Sequence, residues 1–388
     1  MHHLTIRLLA LCGLAAAATC DDRRYSTWML DSIKSRNQGI ISSGAASSFL
    51  ETGVLSIAME ATIKQYPDLK DQYASYLKDV LNEGTLNLVN ATYDATRPLD
   101  RFSVATAINA ISKFGIEGIS TTALAASKAI NDSLPLQDRN PVGGLLYYVY
   151  PGWSYLDGIF SVLPFMAAQQ QPNYTDISLQ VSLLYEHCFQ KNTSLVVHGY
   201  DYFKTAVWAN KETGASSFAW GRSVGWFVAG LVQTWEALDC PTSKHEAKAV
   251  CKQLRDITTQ LATSLVRYAD PDTGAWWQLT TFPGRSGNYL ESSSTALFIF
   301  SMLKGERLGM LSNSKVDFRK VALKAYNYTT RNFVVDTGSG TIGYNKTVAV
   351  CSLNSTASYE YYTHQPLLPN SLLGESAFVL ASLEVERK

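Results

Sequence analysis

Residues 67–84 read Pro67-Asp68-Leu69-Lys70-Asp71-Gln72-Tyr73-Ala74-Ser75-Tyr76-Leu77-Lys78-Asp79-Val80-Leu81-Asn82-Glu83-Gly84. Leu69, Tyr73, Tyr76, Leu77, Val80 and Leu81 fall on one face of a 3.6-residue period, which predicts an amphipathic helix. Its Pro-Asp start and Gly stop are expected helix-end signals. The same texture recurs along the chain while strict alternation is scarce. Helices are expected near 26–37, 44–64, 68–83, 100–114, 119–131, 154–169, 175–190, 218–237, 243–268, 290–308, 316–332 and 372–386. About twelve helices at a pair every ~60 residues suit six stacked hairpins closed into a ring, an all-α (α/α)6 barrel. An open helical solenoid is the alternative. The Gly-, Pro- and aromatic-rich loops near 140–152, 197–217, 270–288 and 335–370 favour closure, because they gather at one end of a barrel.

The first residues read as an address. Met1 to Arg7 is positive, Leu8 to Ala18 is apolar, and Ala16 and Ala18 suit a signal peptidase, so a signal peptide over 1–18 is expected. No flexible linker interrupts the remainder, so 19–388 is expected to be one catalytic domain. Neither the leader nor any later stretch reaches the roughly twenty apolar residues of a membrane span, and no membrane partner is expected. Seven N-glycosylation patterns, at Asn90, Asn131, Asn173, Asn192, Asn327, Asn345 and Asn354, point to the same secreted, extracellular setting.

Lys and Arg number 33 and Asp and Glu 33, so no basic face is available for nucleic acid. Of six cysteines, Cys12 leaves with the leader, and Cys240 and Cys251 are the favoured disulfide, although two buried thiols in neighbouring helices would look the same. The histidines are scattered and no metal-ligand spacing occurs, so neither a metal nor a cofactor is expected.

Three stretches carry acids among aromatics. Tyr147 to Gly158, containing Trp153, Tyr155 and Asp157, leads into an apolar helix. Desolvation there would raise the Asp157 pKa and suit it to general acid/base work, whereas the plainer reading is a helix cap. The stretch His198-Gly199-Tyr200-Asp201 precedes Trp220-Gly221-Arg222-Ser223-Val224-Gly225-Trp226. Arg222 there would grip a carboxylate while Trp220 or Trp226 stacks on a sugar, although such rings more often pack a core. Arg97-Pro98-Leu99-Asp100 opens a helix, and Asp100 alone would be read as a cap.

Taken together, these motifs resemble glycoside hydrolase family 105, the unsaturated rhamnogalacturonyl hydrolases. His198 to Asp201 with Trp208-Ala209, Gly214, Ser216, Trp220, Arg222 and Gly225-Trp226 is similar to the block "HGWD…WA…TG.S…W.RGNGW". Leu156-Asp157-Gly158 and Pro164-Phe165 resemble "WLDGLYMA.PF". Gly274 to Gln278 with Tyr289 to Ser294 resembles "GLWYQV…YLETSGSAMF", and Ser358 to Tyr362 with Gly374 to Phe378 resembles "SFEYY…G.GAF". The likeness runs from about Asp100 to the C-terminus.

The resemblance implies removal of a terminal Δ4,5-unsaturated galacturonic acid from rhamnogalacturonan fragments of pectin. Hydration of the double bond starts the reaction. Carried over by position, Asp157 is the general acid/base and Asp100 the second carboxylate. His198 contacts substrate or water, and Trp220, Arg222 and Trp226 shape the sugar subsite. Beside these carried-over positions, Tyr147, Trp153 and Tyr155 are expected as substrate-binding rings. The chain departs from the family where Leu145-Leu146-Tyr147-Tyr148 replaces "FWHK", Tyr155 replaces a Trp, and Ser223-Val224 replaces Gly-Asn. The lost His and Lys take positive charge from the pocket rim and leave the leaving group open. Two other readings are an unsaturated glucuronyl hydrolase of family 88 and a catalytically dead carbohydrate-binding protein on the same barrel. Oligomeric state is left open.

Overall fold

The computed structural model describes residues 24–40, 47–88, 90–243, 245–311 and 315–387. The expected leader, Cys20 and the start of the helix expected at 44 lie outside them. Among the described residues, the helices are α1 (Tyr25–Ser35), α2 (Ser48–Gln65), α3 (Lys70–Gly84), α4 (Ala91–Asp94), α5 (Arg101–Ile111), α6 (Thr121–Ser133), α7 (Ile159–Ala167), α8 (Tyr174–Cys188), α9 (Gly221–Ala237), α10 (Lys248–Tyr268), α11 (Ser292–Arg307), α12 (Phe318–Asn332), α13 (Tyr359–Thr363) and α14 (Leu372–Glu386).

Packing order closes a ring. Helix α2 packs on α5, α5 on α7, α7 on α9, α9 on α11, α11 on α14, and α14 back on α2. Outside this ring, α3 covers α2, α6 covers α5, α8 covers α7, α10 covers α9, α12 covers α11 and α1 covers α14. The chain thus alternates outer and inner helices around an (α/α)6 barrel.

Burial follows from this placement. Every residue of α11 from Ser292 to Leu303 is buried, as is every residue of α14 from Leu372 to Glu384. A helix hydrophobic or small nearly all round is one that belongs inside, and the two buried acids of α14, Glu375 and Glu384, pair with Arg36 and Arg307. Outer α10 instead buries one stripe, including Val250, Leu254, Ile257, Leu261 and Leu265. Small residues let the inner helices approach: a Cβ on Gly230 of α9 would lie 2.8 Å from the Ile159 carbonyl oxygen of α7. Caps set several starts, with the side chains of Ser120, Asn173 and Asp317 accepting from Ala123, Asp176 and Lys320 backbone N–H groups.

Two expected helix starts are corrected. The helix expected from 243 begins at Lys248. The helix expected from 154 begins at Ile159, because Trp153–Tyr155 forms strand β1 and pairs antiparallel with β4 (Gly199–Asp201). Two further ribbons join β2 (Phe189–Gln190) to β3 (Leu195–Val196) and β5 (Val334–Gly338) to β6 (Thr341–Tyr344). The long loops form an apolar cluster of their own around Tyr155, Trp208, Trp220, Leu353, Tyr359 and Tyr362. Cys240 and Cys251 are joined as a disulfide at the α9–α10 turn, with Cα atoms 5.6 Å apart.

Candidate active site

A cleft of about 200 Å³ opens where the inner helices begin. Phe49 comes from the first turn of α2, Asp100 precedes α5, Asp157 precedes α7, Trp220, Arg222 and Trp226 belong to the start of α9, and Leu373 to that of α14. Tyr147, Tyr148, Tyr150 and Tyr155 form one wall, and Val350, Cys351 and Ser352 another. Inner helices running the same way bring several N-terminal ends, each with a partial positive charge, to the rim of this one cleft.

Asp157 does not cap α7, whose first position follows Gly158 without a side-chain cap. Its Oδ2 instead accepts from Ser223 Oγ at 2.5 Å and lies 3.2 Å from His198 Nε2. The His198 contact is close but lacks hydrogen-bond alignment. His198 Nδ1 meets the Tyr362 hydroxyl at 2.8 Å. With Tyr362 donating, the ring hydrogen sits on Nε2 and faces Asp157. Both neighbours converge on Oδ2, so Oδ1 is the oxygen left for the cleft.

Asp100 is 1 % exposed, and its Oδ2 accepts from the Tyr147 hydroxyl at 2.6 Å. Its Oδ1 is buried without a partner. Burial pushes its carboxyl up to about 7, the Tyr147 hydrogen bond opposes that rise, and the Asp157 charge adds to it. Asp100 is therefore an acid of this cleft that burial holds protonated toward neutrality. Tyr147 also stacks on Tyr155, with centroids 4.5 Å apart and planes 8° from parallel.

The structure brings Asp100, Asp157, Tyr147, Tyr155, Trp220, Arg222 and Trp226 to one cleft and places two expected residues elsewhere. His198 is fully buried behind Asp157, where it reaches the acid and not the open space. Trp153 packs against Tyr150 and Trp208 outside the lining. Arg222 lines the cleft with both terminal nitrogens already engaged. Nη1 donates to the Val348 carbonyl at 2.5 Å and Nη2 to that of Ala349 at 2.8 Å, while the guanidinium lies 4.8 Å over Trp220. It thereby anchors the segment that carries Val350 to Ser352, whereas sequence reading expected a carboxylate grip.

Ser223 and Tyr362 lie in stretches compared with the family but were not among the expected site residues. Ser223 stood in view as a departure from the family block, and that departure was its one signal; Tyr362 is 164 residues from its partner His198.

Fold and cleft together define the architecture of the six-hairpin glycosidases. The chain belongs to Glycosyl Hydrolase Family 88, whose sequence profile matches residues 50–388. A family 105 glycoside hydrolase from C. acetobutylicum is similar at 26% identity and TM-score 0.79, over 94% of this chain and 99% of its own. The unsaturated glucuronyl hydrolase of Bacillus sp. GL1, responsible for the degradation of glycosaminoglycan, shares the fold at 12% identity and TM-score 0.62, over 89% and 88% of the two chains. Among curated relatives, Protein Atu3128 of Agrobacterium fabrum is 34% identical over 131 residues, 34% of this chain and 52% of that protein. The match thus spans about half the length of that relative.

Proposed function

We propose that the chain is a secreted glycoside hydrolase that removes a terminal Δ4,5-unsaturated galacturonic acid from rhamnogalacturonan oligosaccharides. The observation that carries this reading is the pair of acids, Asp100 and Asp157, in one aromatic-walled cleft ringed by helix N-terminal ends. Flat Tyr and Trp faces suit sugar rings, and the partial positive ends suit a uronate.

In this reading Asp157, steadied on Oδ2, uses Oδ1 to protonate C4 of the unsaturated ring and then to take a proton from the water adding at C5. The hemiketal so formed collapses, opens the sugar and releases the remaining oligosaccharide. Asp100, kept protonated toward neutrality by burial, hydrogen-bonds the sugar through its unpartnered side and holds the second proton of the site. The bond breaks as a consequence of hydration, so the carboxylate-separation rule for displacement at C1 does not apply.

Secretion is supported by the closed Cys240–Cys251 disulfide and by the exposure of Asn90, Asn131, Asn173, Asn192, Asn327 and Asn354, six of the glycosylation patterns. The function is tested by offering pectin-, ulvan- and heparin-lyase digests and following loss of the ultraviolet absorbance of the conjugated uronate. Loss with the pectin digest supports the galacturonyl reading. Loss confined to the heparin or ulvan digest transfers the chain to the glucuronyl reading, and binding without loss makes it a carbohydrate-binding protein.

A further inference from the structure

Among the described residues, two cations line the cleft, Arg97 and Arg222. The terminal nitrogens of Arg222 are held by backbone carbonyls. Arg97 is different. Its guanidinium lies 5.5 Å from the centroids of both the Phe49 and Tyr93 rings, and its Nε is buried without a partner. Among the described residues its guanidinium makes no ion pair.

Its position is also distinctive. Arg97, Ser48 and Phe49 line both the catalytic cleft and a neighbouring groove of about 600 Å³. That groove is bordered by Asn37, Glu51, Asn87 and Asn370, side chains suited to sugar hydroxyls. Arg97 therefore stands where a saccharide chain would pass from one space into the other.

Charge gives this place a task. A uronate entering a cleft that already holds Asp100 and Asp157 meets acids, and the His and Lys of the family block are Tyr147 and Tyr148 here. An aromatic-flanked guanidinium whose donors have no partner among the described residues supplies both the charge and the planar geometry that a carboxylate requires. We propose that Arg97 binds a sugar carboxylate of the substrate at the junction of cleft and groove. This deepens the proposed function and rests on it. The carboxylate belongs either to the unsaturated ring or to an acidic sugar next to it, and substrates separate the two sources.

The test compares the wild-type protein with Arg97→Gln and Arg97→Lys on two unsaturated substrates, galacturonyl-rhamnose and digalacturonate. Losing a charge-assisted hydrogen bond should raise the Arg97→Gln KM by roughly 10-fold or more, with kcat little changed and Arg97→Lys intermediate. A rise with both substrates assigns the carboxylate to the unsaturated ring. A rise with digalacturonate alone assigns it to the neighbouring sugar. Unchanged KM on both overturns the proposal. If the wild-type protein turns over neither, calorimetric titration with galacturonate decides: weaker binding by Arg97→Gln keeps Arg97 as the carboxylate site and removes the reaction. Equal binding, or none by the wild-type protein, overturns the assignment.

Discussion

Ser223 Oγ lies 2.5 Å from Asp157 Oδ2, linking the first turn of α9 to a residue two positions before α7. Two inner helices are thereby joined at the carboxylate assigned to the chemistry. Ser223 is fully buried, so no water replaces its hydroxyl at bulk solvent cost. Ser223→Ala should lower kcat by roughly 10-fold through loss of a charge-assisted hydrogen bond, with KM little changed. Ser223→Thr, which keeps the hydroxyl, should recover part of the loss. Unchanged kcat in the Ala variant would make the contact incidental.

Tyr147 donates to Asp100, and that hydrogen bond opposes the rise that burial imposes. Tyr147→Phe keeps the ring stacked on Tyr155 and removes the donor. The Asp100 carboxyl should then hold its proton to higher pH. Activity is expected to fall as pH rises through about 7 in the wild-type enzyme, where Asp100 ionises. In Tyr147→Phe this falling limb should move to higher pH, and a pH–rate profile reads the shift. Movement to lower pH would contradict the assignment.

Asp100 also ties stability to pH. Its carboxyl rises from 3.8 to about 7 on folding, so the native state binds more protons than the unfolded chain between those values. The Asp100 contribution to stability is fully present below the unfolded value and is lost as pH rises through the folded one. Asp100→Asn should remove this dependence, and its melting temperature relative to wild type should be most favourable at and above neutral pH. A difference independent of pH would mean that Asp100 ionises as freely as in the unfolded chain.

Arg222 anchors the Val348 and Ala349 carbonyls. Arg222→Ala leaves buried acceptors unpaired, at a cost of about 1–3 kcal/mol, and frees the cleft wall at Val350 to Ser352. Lower thermal stability and a higher KM should appear together. Arg222→Lys cannot serve both carbonyls with a planar fork and should recover little of either. A rise in KM with stability unchanged would restore direct carboxylate binding as its task.

Helices with strong start and stop signals were legible in the sequence: Lys70–Gly84 follows Pro67 and ends on Gly84, and its buried Tyr73, Tyr76, Leu77, Val80 and Leu81 belong to the predicted face, while Leu69 of that face lies in the turn before the helix. The start of α7 was not, because Trp153–Tyr155 satisfies its backbone against Gly199–Asp201, a pairing that local periodicity cannot register. The two acids and most of the rings were found through their motifs. What remained hidden were long-range choices of partner: Ser223 for Asp157, Tyr362 for His198, and two backbone carbonyls for Arg222. Arg97 was in view beside Asp100, yet its worth depended on Arg222 being engaged elsewhere.

Whether Asp157 acts on an unsaturated uronate in this cleft is decided by comparing turnover by the wild-type and Asp157→Asn proteins. Both are given the same unsaturated galacturonyl oligosaccharide and its saturated counterpart, with melting temperatures measured alongside. The wild-type protein should remove the uronate absorbance, Asp157→Asn should do so ~10²- to ~10⁴-fold more slowly with the fold retained, and neither should release the saturated sugar. More than about a tenth of the activity remaining in Asp157→Asn would contradict the role of a positioned acid, and equal cleavage of the saturated sugar would contradict hydration of a double bond.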